Sequence, residues 1–189
     1  FPLTEAQLEI WITSQMGDEA SCSYNEPFTV RFLGKLDLER LCEAIQAATH
    51  RHAALHTCFD SNGDYQYQTP PTPVEVLRED ISRLSVDHQQ SVMDKTAQWF
   101  GSTPFDLSVG PLLRLKLIKL NDEEHVLFFS AHHIVSDGWS TNLLLHEICE
   151  LYTASIEQRD VHLPQPAQYA DYAAWQRDWL SGEVLEREL

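Results

Sequence analysis

Val126-Leu127-Phe128-Phe129-Ser130-Ala131-His132-His133-Ile134-Val135-Ser136-Asp137-Gly138 is the stretch that decides the fold of this chain. Its opening apolar run has the length and composition of a buried strand, which is a rigid mount for a reactive side chain. Two imidazoles stand at the end of the run. Histidine is the side chain whose unperturbed pKa lies nearest neutral pH, so it can take or position a proton there. Adjacent residues of a strand point to opposite faces, so only one of the pair can look into a given cleft. Asp137 can fix a tautomer or the loop geometry, and Gly138 permits turns that other residues resist.

Working outward, Leu112 to Leu120 alternates Leu113, Leu115 and Leu117 with Arg114, Lys116 and Ile118, a largely half-buried strand. Asn121 to Glu124 turns it back into the histidine strand. Downstream, Trp139 to about Gln158 reads as a helix, and a second starts near Gln168 with Tyr169, Tyr172, Trp175 and Trp179. Upstream, Thr4-Glu5-Ala6-Gln7 is a capping-box pattern opening a helix from about residue 4 to 16. Gly17 to Asn25 is a polar loop, and Phe28 to Leu33 a strand closed by Gly34. Asp37 offers an N-cap to a helix through about residue 50, with Leu38, Leu41, Cys42, Ile45 and Ala48 on one face.

Leu55 to Phe59 reads as a strand, Ser61-Asn62-Gly63-Asp64 as a hairpin turn and Tyr65 to Gln68 as its return. Prolines 70, 71 and 73 precede a short strand, Val74 to Leu77, and residues 85–101 are helical. Strands and helices are mixed, with hairpins as well as crossovers, so the fold class is α/β (α+β) with a mixed β-sheet flanked by helices.

A chain of 189 residues buries one sizeable core. The formal net charge of −16 offers no basic stripe for phosphates and argues against both nucleic acid and an anionic membrane. Cys22, Cys42, Cys58 and Cys149 form no C-x-x-C pair or zinc spacing, and Cys42 and Cys149 fall on apolar helix faces. That usage suits a reduced, cytoplasmic protein. No leader opens the chain and no apolar stretch approaches bilayer length, since Leu143-Leu144-Leu145 is broken by His146 and Glu147. The start at Phe1-Pro2 and the helical pattern over residues 183–189 read as a piece of something longer.

Rival chemistries lack their residues. Ligands from adjacent strand positions diverge, and no H-E-x-x-H occurs, so no metal is expected. There is no G-x-S-x-G elbow, no cysteine-nucleophile signature and no phosphate-cradling glycine loop. His50, His88, His125, His146 and His162 read as ordinary core or surface residues. Histidine-centred chemistry without metal, nucleophile or nucleotide remains, and acyl transfer between bound partners asks for no more.

His132-His133-Ile134-Val135-Ser136-Asp137-Gly138 resembles the HHxxxDG motif of condensation domains of non-ribosomal peptide synthetases. Three further segments resemble that family in its order. Leu3 to Trp11 (Leu-Thr-Glu-Ala-Gln-Leu-Glu-Ile-Trp) is similar to its first motif, and Arg51 to Phe59 (Arg-His-Ala-Ala-Leu-His-Thr-Cys-Phe) to its second. Tyr169 to Gln176 (Tyr-Ala-Asp-Tyr-Ala-Ala-Trp-Gln) is similar to its fourth. Two departures stand out: His56 occupies a usual arginine position, and Leu8-Glu9 lacks the basic residue usual there.

The resemblance implies a chloramphenicol-acetyltransferase-like fold of two lobes, residues 1–189 being the N-terminal lobe and the C-terminal lobe being absent. It implies amide-bond formation between an acyl or peptidyl thioester on an upstream donor carrier protein and an aminoacyl acceptor on a downstream one. The phosphopantetheine arms come with the peptidyl carrier proteins, and no cofactor is bound by the domain itself. The implied site is His133, which orients or deprotonates the amine, with His132 packed into the other face of the sheet. Asp137 holds the loop, and Gly138 allows close approach of the thioester carbonyl. With His56 in place of arginine, the partner of Asp137 would be Arg51, a protonated His56 or a residue elsewhere. Alternatives are a free-standing HxxxDG acyl-CoA-dependent acyltransferase and a non-catalytic carrier-protein recruitment module.

Overall fold

The computed structural model describes residues 1–179, so the helical pattern over residues 183–189 lies outside the described residues. In chain order the elements are α1 (Glu5–Ser14), α2 (Asp18–Cys22), β1 (Asn25–Leu33), α3 (Leu38–Arg51), a 3-10 turn (Ala53–His56), β2 (Thr57–Phe59) and β3 (Gln66–Gln68). There follow β4 (Val76–Asp80), α4 (Val86–Ser102), β5 (Leu113–Asn121), β6 (Glu124–His132), α5 (Gly138–Glu157) and α6 (Tyr169–Trp179). The main sheet has the order β1-β6-β5-β4, with β4 parallel to β5 and the other pairs antiparallel; β2 and β3 form a separate hairpin. This is the expected mixed α/β architecture.

β6 lies inside the sheet and is buried on both faces, which is why Val126 to Phe129 is a continuous apolar run. Leu127, Phe129 and Ala131 join Leu113, Leu115 and Leu117 of β5 on one face. Leu41, Ala44, Ile45 and Ala48 of α3 and Leu144 and Ile148 of α5 cover that face. Val126 and Phe128 point the other way, into a second cluster with Ile118, Leu120 and Phe100 of α4. Each of these valine, leucine, isoleucine and phenylalanine side chains contributes about 1.5–3 kcal/mol on burial. α3 begins where the sequence placed its cap, Asp37 accepting from Arg40 N–H; α4 is capped by Ser85, which accepts from His88 N–H. The capping box of Thr4 and Gln7 forms in full.

The structure corrects several local expectations. Gly17 to Asn25 is not a loop: Gly17, at φ 125°, leads into the five-residue α2, and β1 already starts at Asn25. Asp18 and Glu19 place negative charge at the positive end of α2. Leu55 and His56 belong to the 3-10 turn, the Leu55 N–H bonding back to the His52 carbonyl at 3.1 Å rather than to a neighbouring strand. β4 begins two residues later than expected, the main chain of Val74 being occupied on both sides by the side-chain amide of Gln46. Cys149 is exposed rather than on a packed face, whereas Cys58 is buried. The hairpin turn is as expected, with Gly63 at φ 76° and the Trp11 ring lying where its Cβ would be, 2.6 Å away. No helix among the described residues is long and apolar enough to cross a membrane.

Candidate active site

The ladder between β1 and β6 ends with Asn25 opposite His132. At that point the two histidines part company. The His132 side chain is sealed in, at 0% exposure, between the rings of Tyr24 and Phe105. Its Nδ1 accepts the Ile134 N–H at 3.3 Å, so the neutral ring carries its proton on Nε2. Burial first, then the charges of His133 and Arg114, push its pKa from 6.5 down to about 4, and only the Ser21 backbone favours the charged form. His132 is therefore a neutral structural ring at pH 7.

His133 follows the strand, and its side chain is 40% exposed. Its N–H donates to the Tyr24 carbonyl at 2.8 Å, and its ring stacks on Tyr24 with centroids 6.4 Å apart and planes at 9°. Nδ1 lies 2.7 Å from Oε1 of Glu26. The strand end thus presents one titratable ring to solvent on a backbone that is still hydrogen-bonded.

Asp137 is the N-cap of α5. Its Oδ1 accepts from Ser140 N–H at 2.7 Å and from Ser140 Oγ–H at 2.6 Å. Those two bonds, more than the nearby His133, lower its pKa below the ordinary carboxylate value. It ties the loop to α5 by capping, and no ion pair engages it among the described residues. Arg51 is engaged by Glu147, and the buried His56 contacts the Thr49 carbonyl, burial lowering its pKa. The Ser140 amide is spent on the cap, which leaves the amides of Gly138 and Trp139 without an intrahelical acceptor. A Cβ built on Gly138 would meet nothing within 4 Å, so the fold itself does not demand glycine here.

The four motif segments interlock around this loop. From the first, Gln7 Nε2 donates to the Ile134 carbonyl at 3.3 Å, and Thr4 Oγ1 bonds the Tyr169 hydroxyl of the fourth at 3.0 Å. From the second, Arg51 and His52 bind the buried Glu147 of α5 at 3.0 and 2.9 Å. Gln168, just before the fourth, accepts from Ala53 N–H and donates to the Arg51 carbonyl of the second. Ile134 is buried with Phe59, Phe105, Leu107 and Leu112 beneath the loop. Among the described residues no group of three or more His, Cys, Asp or Glu is placed to hold a metal ion.

A family model described as "Condensation domain" matches residues 1–189. The chain belongs to the condensation-domain family. It is 35% identical over 192 residues to gramicidin S synthase 2 of Brevibacillus brevis, covering 100% of this chain and 4% of that protein. It is 37% identical to malpinin synthetase of Mortierella alpina, over 99% of this chain and 2% of that protein. Among solved structures, the first condensation domain of the calcium-dependent antibiotic synthetase, in complex with substrate analogue 2a, superposes with a TM-score of 0.80 at 25% identity. That match covers 98% of this chain and 44% of the other. The starter condensation domain of rhizomide synthetase RzmA shares the fold at a TM-score of 0.85 and 20% identity, over 96% of this chain and 44% of that one. The condensation-domain chain thus spans a small part of its curated relatives and less than half of these solved structures. Its fold is the chloramphenicol-acetyltransferase-like lobe that the motifs implied.

The sequence placed His132, His133, Asp137 and Gly138 together, and the condensation-domain structure sets them along the turn from the last residue of β6 to the first of α5. Sequence reasoning missed Tyr24, Glu26 and Glu147. Tyr24 and Glu26 fall at the boundary between the expected loop and the late-starting strand, where Asn25-Glu26-Pro27 carries no strand alternation. Glu147 read as a charge ending an apolar run, because its partners lie 95 and 96 residues away. Beside the loop, a cleft of about 310 Å³ is walled by Val135, Ser136, Trp139, Leu143, Gln168 and Tyr172, among others, and His133 is not part of its wall.

Proposed function

We propose that residues 1–189 are the N-terminal lobe of a condensation domain in a non-ribosomal peptide synthetase, the lobe that carries the catalytic histidine. The donor is an acyl or peptidyl thioester on an upstream carrier protein, and the acceptor is the amine of an aminoacyl thioester on a downstream carrier. A second lobe completes the tunnel, and this lobe alone is inactive. The carriers bring the phosphopantetheine arms as part of the substrates; the chemistry calls for no resident cofactor, and the setting is the cytoplasm. The observation that carries the reading is the division between the two histidines: one is sealed and neutral, the other is presented on a pinned backbone beside an open glycine.

The amine nitrogen attacks the thioester carbonyl carbon, forming the C–N bond and a tetrahedral intermediate. His133 orients the amine or accepts its proton; the C–S bond then breaks and the donor arm leaves as a thiol, taking up the proton. An α-amine is already partly neutral near pH 7–8, so positioning supplies much of the effect. The open space at Gly138 admits the thioester carbonyl, with the free amides of Gly138 and Trp139 at the α5 N-terminus favouring developing negative charge. His132 and Asp137 serve by holding the strand end and the loop.

The test is single-turnover amide formation by the complete domain with loaded donor and acceptor carriers, comparing wild type with His133→Ala. The expected result is product from the wild type and a loss of about 100-fold or more in a folded variant. Equal turnover in both would overturn the assignment of chemistry to His133.

A further inference from the structure

We propose that Glu26 is a positioning residue for His133, one that holds the Nδ1 edge of the ring and leaves Nε2 as the nitrogen that meets the amine; this rests on the amide-forming reading above. Glu26 Oε1 lies 2.7 Å from His133 Nδ1, and no other polar side chain bonds this carboxylate among the described residues. Its second oxygen is buried without a partner, so the charge has one outlet, the imidazole. The placement is enforced by the backbone. Glu26 sits opposite Ala131 in the β1–β6 ladder, which fixes its distance from the strand end that carries His133. Pro27 restricts the chain immediately after it.

Tyr24, two residues earlier, holds the same ring by stacking and accepts the His133 N–H through its carbonyl. The ring is therefore set from three directions: main chain, face and Nδ1 edge. The charged or titratable groups around it are Glu26 and Tyr24 from the start of β1, His132 beside it, and Asp137 across the loop, whose carboxyl senses its charge. His132 is neutral and Asp137 is turned to Ser140, so Glu26 is the group that selects the tautomer. A carboxylate at Nδ1 keeps the proton on that nitrogen and the lone pair on Nε2, and it stabilises the imidazolium formed when Nε2 takes a proton. The arrangement needs no further component: the proton gained by Nε2 comes from the attacking amine and returns to the departing thiolate.

The experiment uses the complete domain, with ¹⁵N-labelled histidine and loaded carriers, in three forms: wild type, Glu26→Gln and Glu26→Ala. His133 signals are assigned by their loss in His133→Ala. The wild type is expected to show the Nδ1–H tautomer of His133. In Glu26→Ala that signature moves towards Nε2–H, and the single-turnover rate falls on the order of 10- to 100-fold. Glu26→Gln, which keeps the shape and an acceptor oxygen, should retain more of both. Unchanged His133 signals in both variants would overturn the proposal, and so would a changed tautomer with an unchanged rate. The spectrum reads the Glu26 contact without any turnover, so inactivity of every form, or full activity of His133→Ala, would count against amide formation at His133 and is told apart from failure of the Glu26 contact.

Discussion

Replacing His132 by Asn should flatten the acid sensitivity of the fold, and the size of the effect follows from one buried ring. In the folded chain the His132 ring is held at a pKa of about 4, against 6.5 when free. Its folded pKa is depressed, so the unfolded chain binds the proton first as pH falls, and stability is lost from about 6.5 downward. Above that window the ring is neutral in both states and contributes no pH dependence. For these two values the loss between pH 7.5 and pH 5.5 is about 1.3 kcal/mol, most of one pH unit's worth at about 1.4 kcal/mol per unit. Stopping at pH 5.5 keeps the protein above its pI of about 4.8.

Asn is the informative replacement because its Oδ1 can take the Ile134 N–H that His132 Nδ1 now accepts, while nothing in it titrates. The variant loses the ring's packing against Phe105 and Tyr24 and starts less stable, so absolute stabilities are not the readout. The readout is the fall in unfolding free energy between pH 7.5 and 5.5 from urea titrations. Wild type should fall by about 1.3 kcal/mol more than His132→Asn. His56 and His125, whose pKa values are also lowered by burial, act with the same sign in both proteins and cancel in the comparison. An equal fall in the two proteins would refute the sealed, neutral ring and with it the division between the histidines.

Asp137→Ala should cost about 1 kcal/mol of stability in urea unfolding through loss of the α5 cap, while Asp137→Asn, itself a good cap, should stay within a few tenths of wild type; an equal cost for both would show that the charge, not the cap, holds the loop. Gly138→Ala places its Cβ in open space at a helical position, so the thermal midpoint should hold or rise while amide formation by the complete domain falls at least about tenfold. Undiminished turnover there would mean that the substrate does not use the space.

Where one residue's neighbours in sequence are also its neighbours in space, the reading from sequence reached the structure. β6 announced itself because both of its faces are buried, and α3 because Asp37 stands at its N-cap. The Asp137 cap belongs to the same class: its acceptor duty is to Ser140, three residues on, although an ion pair with a distant residue is the expectation the motif raises. The five residues of α2 are too few to show a helical period. Leu55-His56 looked like strand because its burial comes from tertiary contacts around the 3-10 turn. Glu147, Arg51 and His52 are joined by side-chain contacts between distant parts of the chain, and no local pattern states that they meet.

That distant network explains why a loop can carry the site at all. A histidine past the end of a strand loses the ladder that fixed its predecessors, and an unsupported ring there would sample many orientations at a cost to any aligned reaction. Here the constraint is replaced piece by piece. Tyr24 accepts the first free N–H, Gln7 takes the Ile134 carbonyl, Ile134 is buried beneath the loop, and Asp137 ties its far end to α5. α5 is in turn tied through buried Glu147 to Arg51 and His52. The second motif segment therefore acts on the histidine without touching it: it fixes the helix that fixes the loop. Motifs scattered across the chain are what one exposed, immobile imidazole requires.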